Sequence, residues 1–405
     1  MPAEPNLRYT LLIPTYNRAS QLRGLLAYLA ARGFEYPIRV LDSSAEEALA
    51  INRKTISESP LNVTHQIYDN SINTYAKFAL GVQSVETPYC SFCADDDILF
   101  TANLAKYLDV LDADPSLVAA HGYYVNFKPG DVYSILYTVY SAPSIVGSDG
   151  LHRILQQMSN YQAVFYAVYR KSVLEHVMRS IQGMQTLLSL ELLASSLTLV
   201  AGGVQRIPEF YMGRNTNPSI ATEGWHPHQF LATDPASLFR EYAAYRDVVL
   251  AALMADPHCR DFYGRDRLQR VLDLAHLKYL QPLLSPAIID YIIQNSMDPA
   301  LAPQQVVEGV WRTFVVQPED QRKDRPGKWA AFKLGVKRYL SRLGQSFRPM
   351  GFKAPVDVWI NHTTRDGAPR RYELFREFLN QNLPGHGPVT AADIDTILDH
   401  LDAYV

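Results

Sequence analysis

The chain has 405 residues, and 47% of them are hydrophobic against 20% charged, which excludes wholesale disorder and predicts two or three domains. The 38 basic and 41 acidic residues leave a net charge of −3, so no global bias toward nucleic acid exists. The three cysteines (Cys90, Cys93, Cys259) cannot build a disulfide framework and suit a reducing compartment. Tyrosine, at 25 residues, outnumbers phenylalanine at 16; a ring with a polar tip suits polar-ligand clefts such as sugar sites.

The segment 1–8 has no apolar run ahead of a cleavage site, so no signal peptide is expected. Tyr9–Pro14 is an apolar run that reads as a strand buried on both faces. Asn17 or Ser20 can cap the following helix, 21–32, whose Leu22, Leu25, Leu26 and Leu29 share one face, and Gly33 ends it. Further strands are expected at 38–41, 62–68, 89–94 and 117–120, with helices at 75–85 and 104–111 between them. This alternation predicts a mainly parallel sheet with helices on both faces, with ligands at the carboxyl ends of the strands. Asp42 and Asp95–Asp97 both stand at such ends.

The apolar stretch 187–204 carries Glu191 and Gly202-Gly203, and reads as a buried helix running into a strand. From Asp234-Pro235, an N-cap followed by proline at the first helical position, the pattern becomes helical. Helices are expected at 266–280, 286–294, 304–315, 370–383 and 391–404. The expected division is a sheet domain over 1–225 and a helical domain or extension over 226–405.

Three consecutive aspartates after a buried strand repel one another, and a divalent cation resolves the repulsion. Asp95 and Asp97 face the same side of an extended chain. The alternative is an acidic loop that caps the helix after Thr101. Glu191 is the only acid in its apolar stretch; burial is costly unless it faces a cleft or has a partner. It is a candidate general base, against a structural buried acid and against Asp149 as the base.

Four pieces, Leu11-Leu-Ile-Pro-Thr-Tyr-Asn-Arg18, Val40-Leu-Asp-Ser-Ser44, Tyr75-Ala-Lys-Phe78 and Cys93-Ala-Asp-Asp-Asp97, stand in the order and spacing of a known family. The chain resembles a family 2-type glycosyltransferase with the GT-A fold over roughly residues 8–215. The resemblance implies that Pro14, Thr15, Tyr16 and Arg18 line the nucleotide pocket and that Asp42 contacts the base. It implies that Asp95 and Asp96 contact ribose or donor sugar, and that Asp97, with Asp95, binds Mn2+ or Mg2+ on the diphosphate. Two departures stand out. One carboxylate of the family's motif after the second strand is replaced in Asp42-Ser43-Ser44, and Lys77 stands where arginine is frequent. A solvated helix face is the other reading of Lys77.

Arg214 is a candidate clamp for a phosphate of the leaving nucleotide, or a surface arginine in a turn. By the same resemblance His226 or His228 completes the metal shell, unless the pair belongs to an ordinary loop. The segment 322–353 is basic, with Phe332, Val336, Tyr339, Leu343 and Phe347 at helical spacing. It reads as a packed amphipathic helix, or as peripheral membrane contact through 328–348; nucleic acid has no recognised module here. The resemblance implies a cytoplasmic, metal-dependent, inverting enzyme that moves a sugar from a nucleotide-sugar donor, a UDP-sugar first, to a glycan, lipid-linked or protein acceptor. The helical part would shape the acceptor site or mediate homo-oligomerisation. The alternatives are a nucleotidyltransferase, which the glycine-free loop Ile13–Arg18 argues against, and a degenerate nucleotide- or sugar-binding module.

Overall fold

The structure is a computed structural model, and it describes residues 7–128, 134–139, 143–161, 164–215, 227–315 and, toward the C-terminus, 373, 376–377, 379–380, 383 and 387–402. The chain opens as expected. Strand β1 (Tyr9–Thr15) leads into α1 (Ala19–Ala31), β2 (Ile38–Asp42), α2 (Glu46–Ser57), β3 (Val63–Ile67), α3 (Thr74–Gln83) and β4 (Tyr89–Phe92). β1 pairs in parallel with β2 and β4, and β2 with β3.

Beyond β4 the topology is mixed. β5 (Ile98–Leu99), α4 (Leu104–Ala113), β6 (Leu117–Lys128), β7 (Ser134–Val139), α5 (Gly150–Ser159), β8 (Val168–Arg170), α6 (Lys171–Ser180), α7 (Leu187–Ala201) and β9 (Gly203–Asn215) follow in order. The sheet runs β3-β2-β1-β4-β8-β6-β9-β5, with β7 on β6. The β4–β8, β6–β8, β6–β7 and β5–β9 pairs are antiparallel, while β6–β9 is parallel. The expected parallel character therefore holds for the first four strands, and antiparallel pairs enter from β5 on.

Alternation along β1 assigns the two faces. Leu11 and Ile13 point into a core shared with α1 and α4, and Leu12 points into one shared with α3, α5 and α7. No side chain caps α1, contrary to the expectation for Asn17 or Ser20. Its other end is as expected: Gly33 adopts φ +63°, and the amides of Gly33 and Phe34 close on the carbonyls of Ala30 and Leu29. Gly122 of β6 is required for a different reason. A Cβ there would lie 2.1 Å from the Glu209 carbonyl oxygen, so only glycine lets β6 and β9 approach.

Helices α8 (Pro227–Thr233), α9 (Pro235–Ala255), α10 (Pro257–Tyr263), α11 (Arg265–Leu280), α12 (Pro286–Ser296) and α13 (Pro303–Val310) then follow. Asp234 caps α9 through the Ser237 amide, as its sequence predicts. Val249, Leu253, Leu268 and Leu272 of α9 and α11 join the core that holds Leu12 of β1. A last helix, α14 (Ala391–Asp402), returns to the opposite face, where Ile394 and Ile397 join Leu11 and Ile13. Of the described residues in the expected 370–383 helix, 373, 376, 377, 379 and 380 are helical and 383 is not, whereas 322–353 lies outside the described residues. Among the described residues, no helix is long and apolar enough to cross a membrane.

Candidate functional site

The carboxyl ends of β1, β2 and β4 converge with α3 and the end of β9. Thr15, the last residue of β1, is buried and donates its hydroxyl to Asp95 Oδ2 at 2.8 Å. Arg18, just before α1, reaches both Asp95 Oδ1 and Asp96 Oδ2 at 3.1 Å. Pro14 is half-buried, and Tyr16 leaves 53% of its surface exposed at the mouth of this loop. Asn17 takes φ +56°, a conformation asparagine tolerates. It stitches the loop to its neighbour, donating from its amide to Ser44 Oγ at 2.9 Å and accepting from the Ala45 amide at 2.8 Å.

Asp42 is wholly enclosed. Its Oδ1 accepts from the Ser44 amide, and its Oδ2 from Asn52 Nδ2 and from His65 Nε2, at 2.8–2.9 Å. Burial opposes its charge, but these hydrogen bonds win and hold the carboxyl down at about 2. The base contact expected of Asp42 has no exposed oxygen to work with in this arrangement. The carboxylate instead fixes the path of the Asp42–Ala45 turn.

Lys77 is buried, which corrects the reading of a solvated helix face. Asn73 caps α3 through the amides of Tyr75 and Ala76, and this aims Lys77 inward. Its Nζ donates to the Thr15 carbonyl at 2.9 Å and to Ser43 Oγ at 2.8 Å. Burial lowers its pKa, and the carboxylates of Asp42 and Asp95 oppose that. Lys77 thus ties the end of β1 to the turn after β2.

All three aspartates of the triplet are buried. Burial is the largest effect on each, raising Asp95 to about 6 and Asp97 to about 7 and raising Asp96 as well, while Arg18 and Arg214 oppose it. Asp97 also accepts from the Asn215 amide at 2.9 Å, because β5 and β9 pair through Ile98 and Gly213. The reading of an acidic helix-capping loop does not describe this enclosure: the 3-10 turn Thr101–Asn103 has no side-chain cap.

Whether these residues suit a divalent ion follows from their chemistry. Magnesium and manganese prefer carboxylate oxygens, and magnesium typically takes one or two of them beside substrate phosphates and water. Buried carboxyls driven toward neutrality by burial, and by one another, would be returned to charge by a dication. The triplet therefore fits an ion shared with a diphosphate. Among the described residues, no group of three or more His, Cys, Asp or Glu is arranged to hold an ion unaided. His228 is buried in α8, edge-on to Trp311 with ring centroids 5.2 Å apart. His226 lies outside the described residues.

Glu191 stands in the first turns of α7, whose start is capped by Thr186. Its Oε2 is buried without a hydrogen-bond partner, so the structural acid held by a partner is not what the structure contains at that oxygen. Burial raises its carboxyl to about 8, opposed by Arg214. Tyr75, Tyr166 and Tyr279 lie near enough for its charge to disfavour their ionisation. Arg214 sits over the Tyr166 ring, 5.5 Å from its centroid, and acts on Asp96, Asp97 and Glu191 alike. It is half-buried at the end of β9, which corrects the reading of a surface arginine, and its charge favours ionisation of both the triplet and Glu191. Asp149, the other expected base, caps α5 through the His152 amide and is engaged by His152 Nδ1 and the Tyr263 hydroxyl.

Sequence reading missed Ser43, Asn52, His65, Asn215 and the tyrosines around Glu191. For Asn52 the available signal was its burial-incompatible polarity on the Leu49 side of α2.

No family model matches the chain, and no curated protein does. Among solved structures it is similar to S. aureus TarS 1–349 in complex with UDP-GlcNAc, at 16% identity and a TM-score of 0.45, over 75% of this chain and 91% of that one. It is also similar to the mannosyltransferase PcManGT from Pyrobaculum calidifontis in complex with GDP-Man and Mn2+, at 15% identity and a TM-score of 0.38, over 68% of this chain and 87% of that one.

Proposed function

We propose that this chain is a glycosyltransferase that uses a nucleotide-sugar donor. The observation that carries the reading is the meeting of two unlike sets of groups. Thr15, Arg18, Lys77 and the acidic triplet form a charged pocket at the strand ends, and Glu191 is a poorly solvated carboxyl that feels the same Arg214 charge as Asp97. A nucleoside diphosphate with a leaving-group charge suits the first set, and an acceptor hydroxyl suits the second.

In this reading the exposed ring of Tyr16 and the half-buried Pro14 cover the base, and the Asp42–Ala45 turn supports it from below. Asp95 and Asp96 are paired with Arg18 and orient the donor's sugars. Asp97, with Asp95, would hold Mg2+ or Mn2+, which supplies Lewis-acid neutralisation of the diphosphate when bound. Arg214 adds a second positive charge on the leaving-group side. Glu191 takes the acceptor proton. Its unpartnered Oε2 has a free lone pair, and its pKa near 8 makes it a stronger base than an ordinary carboxylate. Attack on the face opposite the leaving group gives inversion. Tyr75 and Tyr166, both half-buried near Glu191, offer apolar rings against the acceptor.

The test is release of nucleoside diphosphate from a panel of nucleotide sugars, UDP-sugars first, with and without manganese. Metal-enhanced release that Asp97→Asn removes supports the reading. Binding of nucleotide sugars without any turnover would turn it toward a binding module. Pyrophosphate-dependent formation of the nucleotide sugar would turn it toward a nucleotidyltransferase.

A further inference from the structure

Away from that site, α10 and α11 carry exposed apolar and basic side chains side by side. Leu268, Leu272, Ala275, His276 and Tyr279 form the buried face of α11. On the opposite side, at three- and four-residue spacing, stand Arg267, Arg270, Leu274 and Leu277. Leu274 and Leu277 are 60% and 63% exposed, and Phe262, near the end of α10, is 66% exposed. A scattered exposed leucine needs no explanation, but several large apolar side chains beside one basic cleft do. Arg265, Arg267 and Arg270 line that cleft, about 450 Å³ in volume, with Tyr263, Gly264 and Asp266.

Neighbouring arginines are paired: Arg260 with Asp261, and Arg246 with Asp247 and Asp273. Among the described residues, no ion pair or hydrogen bond engages Arg265, Arg267 or Arg270. Positive charge in the first turns of a helix is also opposed by the helix dipole. Among the described residues these three cations therefore have no ion-pair partner, Asp266 in the same cleft being one acid against three, and the apolar side chains beside them are uncovered. A soluble polyanion would satisfy the arginines and leave Phe262, Leu274 and Leu277 in water. A neutral apolar surface would do the reverse. An anionic bilayer offers headgroup phosphate and an acyl boundary in one plane.

We propose that the α10–α11 face docks on an anionic phospholipid membrane, with Arg265, Arg267 and Arg270 at the headgroups and Phe262, Leu274 and Leu277 at the acyl boundary. The chain carries net charge −3, so attraction to such a surface is local to this face and screened by salt. Docking here would hold the enzyme on a surface without any spanning helix.

The experiment is co-sedimentation of the full-length chain with vesicles of phosphatidylcholine alone or mixed with phosphatidylglycerol. Binding is expected to the mixed vesicles only, and to weaken with salt. Each arginine contributes about fivefold, from ~1 kcal/mol per basic residue near the surface. Arg267→Glu with Arg270→Glu should therefore lower partitioning at least ~25-fold. Leu274→Ser with Leu277→Ser should lower it while leaving its salt dependence in place. All four positions are exposed, so melting temperatures should stay at the wild-type value and exclude unfolding as the cause. Failure of the wild type to bind the mixed vesicles, equal binding to both kinds, or variants that bind like wild type would each overturn the proposal.

Discussion

Replacing Glu191 by glutamine should make the protein more stable and less active at once. The carboxyl is pushed up to about 8 because burial is only partly answered by Arg214, and its Oε2 has no hydrogen-bond partner. A carboxyl whose folded pKa lies above its unfolded value favours folding at low pH and loses that advantage as pH rises. Between about 4.5 and 8 the folded chain holds a proton that the unfolded chain has released, so stability falls across that window. At about 1.4 kcal/mol per pH unit, the loss reaches about 5 kcal/mol at pH 8 and above, and about 3 kcal/mol at pH 7. Glutamine has no proton to release, so the stability of Glu191→Gln should be flat where the wild type declines. Thermal or urea unfolding from pH 4.5 to 9 reads this directly, as a gap between variant and wild type that opens with pH. Transfer should meanwhile fall ~10²–10⁴-fold, with donor affinity unchanged. A variant that is destabilised at every pH would mean that Glu191 has a structural partner. A stabilised variant with normal transfer would remove it from catalysis.

The same carboxyl sets a pH dependence. Acceptor deprotonation needs the ionised form, so the rate should rise with pH toward about 8, and Arg214→Gln, which removes the cation that favours ionisation, should move this limb to higher pH in a pH–rate profile. Lys77→Ala strands the Thr15 carbonyl and Ser43 hydroxyl in a buried site; chemical denaturation should show a loss of ~1–3 kcal/mol, together with weaker donor binding. Asp42→Ala leaves Asn52 and His65 without their acceptor and should lower stability by a similar ~1–3 kcal/mol, with nucleotide affinity falling because the turn shifts. An Asp42→Ala protein of wild-type stability with weakened binding, measured by calorimetry, would instead give Asp42 a direct contact with the base.

The first half of the sheet was legible because local chemistry and topology agree there. The Leu11–Ile13 run, the one-sided leucines of α1 and Gly33 after it each specify the element they form. The apolar run 117–120 marks only the start of β6, which Tyr123, Tyr124, Val125 and Phe127 carry on to Lys128 in a strand-favouring pattern. β5 has two residues, too few for any period, and exists because β9 pairs with it. Within the site, residue types were readable and partners were not. Thr15 and Asp95 are 80 positions apart, Lys77 and Ser43 34 apart, and Asp97 and Asn215 118 apart. No spacing rule reports such contacts; the sheet order creates them. Arg214 shows this best: in sequence it is a candidate phosphate clamp with no visible partner, and its electrostatic influence on both Asp97 and Glu191 follows from where β9 ends.

The most direct measurement is titration calorimetry of UDP and GDP into wild type and Asp97→Asn, each with and without manganese. One nucleoside diphosphate should bind the wild type more tightly when manganese is present, and Asp97→Asn should lose this enhancement while keeping its fold. Binding in the variant with undiminished manganese dependence, or no binding of either nucleotide to the wild type, would contradict the proposed function.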